Sequence, residues 1–184
     1  MQPRSLKACF ELALPADEML LSISLDAWIR SYTVDPTASI VELSNFLVFA
    51  SGLEKVHLDL LSVTHDGQED PLDALLTEQN CQDLVDEANE RKAYREPYPL
   101  AEKKGAAHKR YRQLLTQLYT SLLDKVKHEI LYDDVLLPWL VEWLTIVTQS
   151  GHRGLRHTGT ELAMGVMVHL CELQAELLLS LIHI

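Results

Sequence analysis

The sequence predicts an all-α chain, and three observations carry that expectation. Apolar residues recur with a helical period almost everywhere, and no segment shows the sustained alternation of a strand. Prolines and capping residues fall where helices begin: Pro15 suits a first turn, and Asp35-Pro36 reads as an N-cap followed by a first-turn proline. Seven glycines and seven prolines in 184 residues leave little room for many β-turns. A succession of helices with brief connectors points to an α-solenoid, with an irregular helical bundle as the competing architecture.

In order, a first helix is expected from Pro15 to about Tyr32. The second follows Asp35-Pro36 and is closed by Gly52. Ile40, Val41, Leu43, Phe46, Leu47, Val48 and Phe49 make it apolar on most sides, so it must pack on several neighbours. Thr64–Pro71 is the clearest loop. Short helices are expected over Leu72–Glu78 and Cys81–Ala93. Glu96–Gly105 holds Pro97 and Pro99 and is expected to be extended, because a residue before proline is pushed out of the α region. Three longer helices complete the chain, at about Ala106–Ile130, Asp133–Thr148, and His152 to near the end. Asp133-Asp134 reads as an N-cap with first-turn charge, Pro138 marks a first turn or a kink, and Trp139 and Trp143, four apart, read as core.

Composition narrows the function. Cys9, Cys81 and Cys171 are odd in number and far apart, which fits neither a disulfide framework nor a C-x-x-C metal site and favours a reducing setting. His152, His157 and His169 lack a shared i, i+4 spacing, so neither metal nor cofactor is expected. Ala8–Leu14 is interrupted by Glu11 and makes a poor signal sequence. Val135–Val147 and Leu162–Ile184 are apolar but hold Glu142, Glu172 and Glu176, so both read as buried helices of a soluble protein with no membrane partner. Gly151-His152-Arg153-Gly154 lacks the length and lysine of a phosphate-cradling loop. Arg156-His157-Thr158 has no nucleophile–base–orienter set around it and reads as a buried structural cluster, with Arg156 pairing a carboxylate or carbonyl of a neighbouring helix. No enzyme is expected.

Charge is the strongest functional signal. The net charge is −11, yet Arg91–Arg112 carries eight cations against Glu96 and Glu102, which makes it +6 while the remainder is −17. On a helical wheel through this stretch, Tyr111, Leu114, Leu115, Leu118 and Leu122 share one side, and Lys109, Arg110 and Arg112 lie opposite. Cations at a helix N-terminus oppose the helix dipole by about 0.3–1 kcal/mol each. That cost, together with Lys103 and Lys104 just upstream, suggests a ligand, while a solvated polar face is the reading the helix start alone would favour. With no aromatic residue interleaved for base stacking, phosphate contact without sequence reading is the expected mode. The acidic run Asp66–Asp73 and the Asp83–Glu90 face read as solvated surface, which could also confine a polyanion to the basic side.

Three groups of residues, in register from about Leu25 to Met167, resemble the stromal antigen (stromalin) family of cohesin subunits. The first is Trp28-Ile29-Arg30-Ser31-Tyr32 with Val41-Glu42-Leu43-Ser44-Asn45-Phe46 and Ser51-Gly52. The second is Tyr98-Pro99-Leu100, the start Lys109-Arg110-Tyr111-Arg112, and Ile130-Leu131-Tyr132-Asp133-Asp134. The third is Leu155-Arg156-His157-Thr158-Gly159-Thr160, continuing to Ala163-Met164. Leu155 stands where the family has an aromatic, and His108 precedes the cation pair where the family has another aromatic residue.

The resemblance implies a HEAT-like α-solenoid in the nucleus, acting in sister chromatid cohesion with kleisin and SMC subunits and double-stranded DNA as partners. It carries DNA-phosphate contact onto Lys109, Arg110 and Arg112, to which the sequence adds Lys103 and Lys104. Trp28, Tyr32, Phe46, Arg156, His157 and Thr158 become structural motif positions. Residues 1–149 are expected to form the N-terminal helical region and 150–179 the start of the stromalin conserved region. Ser180–Ile184 reads as a non-native tail on an N-terminal fragment, with the main kleisin surface beyond it. The alternative is a protein-interaction solenoid whose basic patch docks an acidic partner segment without touching DNA.

Overall fold

One residue, Asp35, separates the first long pair of helices. Its backbone is extended and its Oδ1 accepts the Ala38 N–H at 3.0 Å, with Pro36 at the first helical position. α2 (Glu18–Val34) therefore turns sharply into α3 (Pro36–Ala50). The computed structural model describes residues 6–13, 18–59, 71–101 and 105–182. Pro15, Lys103, Lys104 and the Thr64–Pro71 loop short of Pro71 lie outside them.

Ahead of this pair lies α1 (Leu6–Ala13), which the sequence reading did not anticipate. Eight residues cannot sustain a helix alone; packing holds this one. Leu6 and Phe10 are buried, the Leu6 N–H donates to Glu42 Oε1 at 2.8 Å, and the Phe10 ring meets Phe46 edge-on at 5.1 Å. α3 packs on α1, α2, α7 and α8, as its apolar circumference requires. It ends at the Ser51 C-cap, followed by Gly52 in the left-handed region at φ +91°, the expected glycine stop.

α4 (Pro71–Leu75) and α5 (Glu78–Arg91) break earlier than expected, because Thr77 caps α5 by accepting the Asn80 N–H at 3.1 Å. The stretch expected to be extended instead contains a 3-10 turn, Pro99–Ala101. Proline restricts the residue before it, while its own φ suits a helical start.

α6 (Ala106–Val126), α7 (Leu136–Gln149) and α8 (Arg153–Ile182) complete the chain. The Tyr111 end of α6 meets the end of α3, and Lys125 pairs with Asp26 of α2 at 2.6 Å. Arg112–Glu161 and Lys127–Glu176 pairs then set α8 parallel to α6 and directly against it, while α7, which connects them in the chain, packs on α8. Helices of alternating direction enclose one continuous core, an all-α, HEAT-like solenoid. Among the described residues the only strand-like feature is an isolated bridge between Leu53 and Tyr94.

Trp28, Tyr32 and Phe46 are buried. Trp28 Nε1 donates to the Ser39 carbonyl at 3.0 Å, fastening α2 to α3. The Tyr32 hydroxyl donates to Asp133 Oδ2 at 2.6 Å. Burial first, and then Asp133, hold this phenol well above the ordinary tyrosine value. Asp133 does not immediately precede α7. It sits three residues ahead of Leu136, and its Oδ1 accepts the N–H groups of Val135 and Leu136 at 2.9 and 3.0 Å. Trp143 is core and Trp139 packs against it.

α8 departs from the expectation of a buried helix. Leu155, Thr158, Leu162, Val166 and Leu173 face inward, but Met164, Met167, Val168 and Leu177 are exposed. It is the one described helix long and apolar enough to cross a membrane by length and composition. Its carboxylates Glu161 and Glu176 pair with Arg112 of α6 and with Lys127 at the α6 C-cap. Its start is capped by His152, whose Nδ1 accepts the Leu155 N–H at 3.3 Å.

Burial and the nearby Arg156 cation lower the His152 pKa below the ordinary 6.5. A depressed folded-state value means this contribution to stability is present above pH 6.5 and is lost as pH falls through the folded pKa. Thermal melts across pH 7 to 5 are expected to show a falling Tm, and His152→Asn, which keeps a cap, is expected to flatten that slope.

Candidate nucleic-acid interface

The end of α3 is where segments distant in sequence meet. Gly52 lies so close to the Tyr98-Pro99 turn that an added Cβ would sit 3.0 Å from Pro99 Cδ and 3.1 Å from Tyr98 Cβ. Arg95 N–H donates to the Gly52 carbonyl at 2.8 Å. On the other side, Gly154 of α8 passes directly against the Ser51 carbonyl oxygen. The Tyr98 hydroxyl lies 3.1 Å from His157 Nδ1, with the two rings edge-on at 5.8 Å. Ser51-Gly52, Tyr98-Pro99 and the start of α8 thus form one junction.

The first turns of α6 sit beside it. Gly105, extended, precedes the helix without a side-chain cap, and His108 Nε2 is 3.2 Å from the Leu100 carbonyl oxygen. Leu114, Leu115, Leu118 and Leu122 are buried, as the wheel requires. Tyr111 is half-buried rather than fully in the core. Its hydroxyl donates to the Ala50 carbonyl at 2.8 Å and its ring meets Phe10 edge-on at 5.4 Å. A tyrosine near a helix end keeps its polar tip within reach of a partner.

With the leucines inward, Lys109 is exposed, Arg110 is half-buried and Arg112 is exposed. Arg112 is already engaged: its Nε and Nη2 grip Glu161 Oε1 and Oε2 at 2.5 and 2.8 Å. That fork raises the guanidinium pKa further. Arg91 pairs with Glu87 at 2.6 Å. Lys103 and Lys104 lie outside the described residues. Local patterning could not reveal Glu161 as a member of this site, because it is 49 residues from Arg112 and reaches it only through the packing of α8 on α6. Sequence reasoning also missed Lys7 of α1, whose Nζ lies 4.2 Å from the Phe49 ring centroid near the end of α3.

The third motif needs a correction. Arg156 and His157 are exposed, and only Thr158 is buried. Three consecutive helical positions are 100° apart, so they cannot all face one core. Arg156 does find neighbouring carbonyls, donating from Nη1 to Ser150 at 2.8 Å and to Gly151 at 3.4 Å, which ties α8 to the end of α7. Among the described residues no group of His, Cys, Asp and Glu could hold a metal ion. Cys81, buried, and Cys171, exposed, are free.

Residues 96–182 match the STAG domain. The chain is 25% identical over 170 residues to cohesin subunit psc3 of Schizosaccharomyces pombe, covering 92% of this chain and 16% of that protein. It is 26% identical over 165 residues to cohesin subunit SA-3 of Mus musculus, covering 90% and 12%. With cohesin subunit SA-1 of Xenopus laevis it shares 26% identity over 147 residues, covering 79% and 10%. The chain therefore spans well under a fifth of the length of these relatives.

Proposed function

We propose that this chain, whose residues 96–182 match the STAG domain, serves as a non-enzymatic helical scaffold of cohesin, contributing to sister chromatid cohesion on chromatin in the nucleus. Kleisin and SMC subunits are its protein partners in this reading. Double-stranded DNA is its ligand, held through phosphates by Lys109, Arg110 and Arg112, with Lys103 and Lys104 just upstream. One observation carries the reading. The inward turn of the α6 leucines leaves cations displayed at the positive end of a 21-residue helix, in a chain that is otherwise strongly acidic.

Phosphate binding of this kind is sequence-independent and releases counterions. Titrating the chain with two duplexes of unrelated sequence at several salt concentrations tests it. Equal affinities are expected, with a log–log salt slope of about −3 to −4.5 for three to five contacts at −0.9 each. A slope near zero, or strong preference for one duplex, would overturn the reading.

The second reading, an acidic protein segment docked on the patch, draws support from the carboxylate of Glu161 already seated on Arg112. An acidic peptide that binds while the duplex does not would select it.

A further inference from the structure

Arg112 lies at the rim of a shallow polar hollow between α6 and α8, lined by Arg110, Gln113, Thr116, Gln117 and Glu161. Every one of these side chains except Glu161 offers a hydrogen-bond donor, and Glu161 is the one carboxylate among the described lining residues. A guanidinium fork accepts a carboxylate and a phosphate by the same two parallel N–H contacts. The carboxylate on Arg112 therefore stands where a phosphate oxygen pair would sit. We propose that Glu161 is a resident competitor for that phosphate, so that Arg112 joins a polyanion only by giving up its own carboxylate. The inference rests on the phosphate-binding reading of the α6 start.

The geometry favours competition over a purely structural ion pair. The Arg112 side chain is 57% exposed, so an incoming phosphate can reach it, whereas Glu161 is 21% exposed and is held against α6. An exposed pair of this kind adds little to stability, so losing it costs the fold little. While the pair is closed its charges cancel, so Arg112 does not act as a net cation. Glu161 then lowers affinity and makes the salt dependence shallower by one contact.

The test uses the whole chain, a DNA duplex, and the variants Glu161→Gln, Arg112→Ala, the two combined, and Lys109→Glu/Arg110→Glu. Circular dichroism verifies that each keeps its helicity. Glu161→Gln removes the charge but keeps the shape, so it is expected to bind several-fold tighter at low salt with a log–log slope steeper by about 0.9. Arg112→Ala leaves the Glu161 carboxylate unpaired, so it is expected to weaken binding modestly in the wild-type background and to erase the whole gain in the Glu161→Gln background. A change in slope is not something a merely structural role would produce. If Glu161→Gln leaves affinity and slope unchanged while the Lys109/Arg110 reversal weakens binding, the competitor is overturned and the phosphate reading stands. If neither change alters affinity, both are overturned.

Discussion

Reversing Lys109, Arg110 and Arg112 together to glutamate is expected to weaken duplex binding by about a hundredfold or more at low salt while leaving helicity unchanged. Two attractive contacts become repulsive, and the arginine already paired with Glu161 becomes a third carboxylate, at the one place where this acidic chain concentrates positive charge. The leucine face of α6 is untouched, so the helix keeps its packing. Reversal of Lys109 and Arg110 alone should achieve most of the loss, since Arg112 is already neutralised by Glu161. Electrophoretic or anisotropy titrations with the wild type alongside would measure it. Unchanged affinity in a folded triple variant would remove α6 from the binding surface.

Gly154→Ala is expected to destabilise the fold by about 2–3 kcal/mol, a Tm drop of roughly 4–12 °C for a domain of this size. A Cβ at this position would overlap the Ser51 carbonyl oxygen and press on the His152 ring at 3.0 Å. The ring has some room to move. The carbonyl belongs to the turn that ends α3, where Gly52 is wedged against Pro99, and it does not. Alanine's better helix propensity returns about 1 kcal/mol, which is less than the overlap costs. A melt unchanged within a degree would mean that α3 and α8 approach less closely than described. Because the basic helix start leans on the same junction through Tyr111 and Ala50, this variant should also loosen the α6 start.

The α3 hairpin shows why much of the fold was legible. Asp35, Pro36 and Gly52 act on their own backbone neighbours, so their effects are local and a sequence displays them directly. The leucine stripe of α6 was legible for a similar reason: a 3.6-residue period states which side is buried without saying what covers it. α1 was not legible, because eight residues become helical only once Phe10 has Phe46 and Tyr111 to pack on. The Arg156-His157-Thr158 triplet misled because a motif read as a block suggests one shared environment, while a helix sends its members in three directions.

By itself the sequence determined an all-α chain, its main helix starts and stops, the inward face of α6, and the residues of its basic helix start. Each of those follows from neighbours within a turn or two. The tertiary structure alone decided which separated segments touch: Ser51-Gly52 between Tyr98-Pro99 and Gly154, Tyr32 on Asp133, and Glu161 on Arg112. Those pairings are 46 to 103 residues apart, and no periodicity reports on them. They depend on how whole helices stack, and that stacking sets how much of the positive charge on α6 is left for a partner.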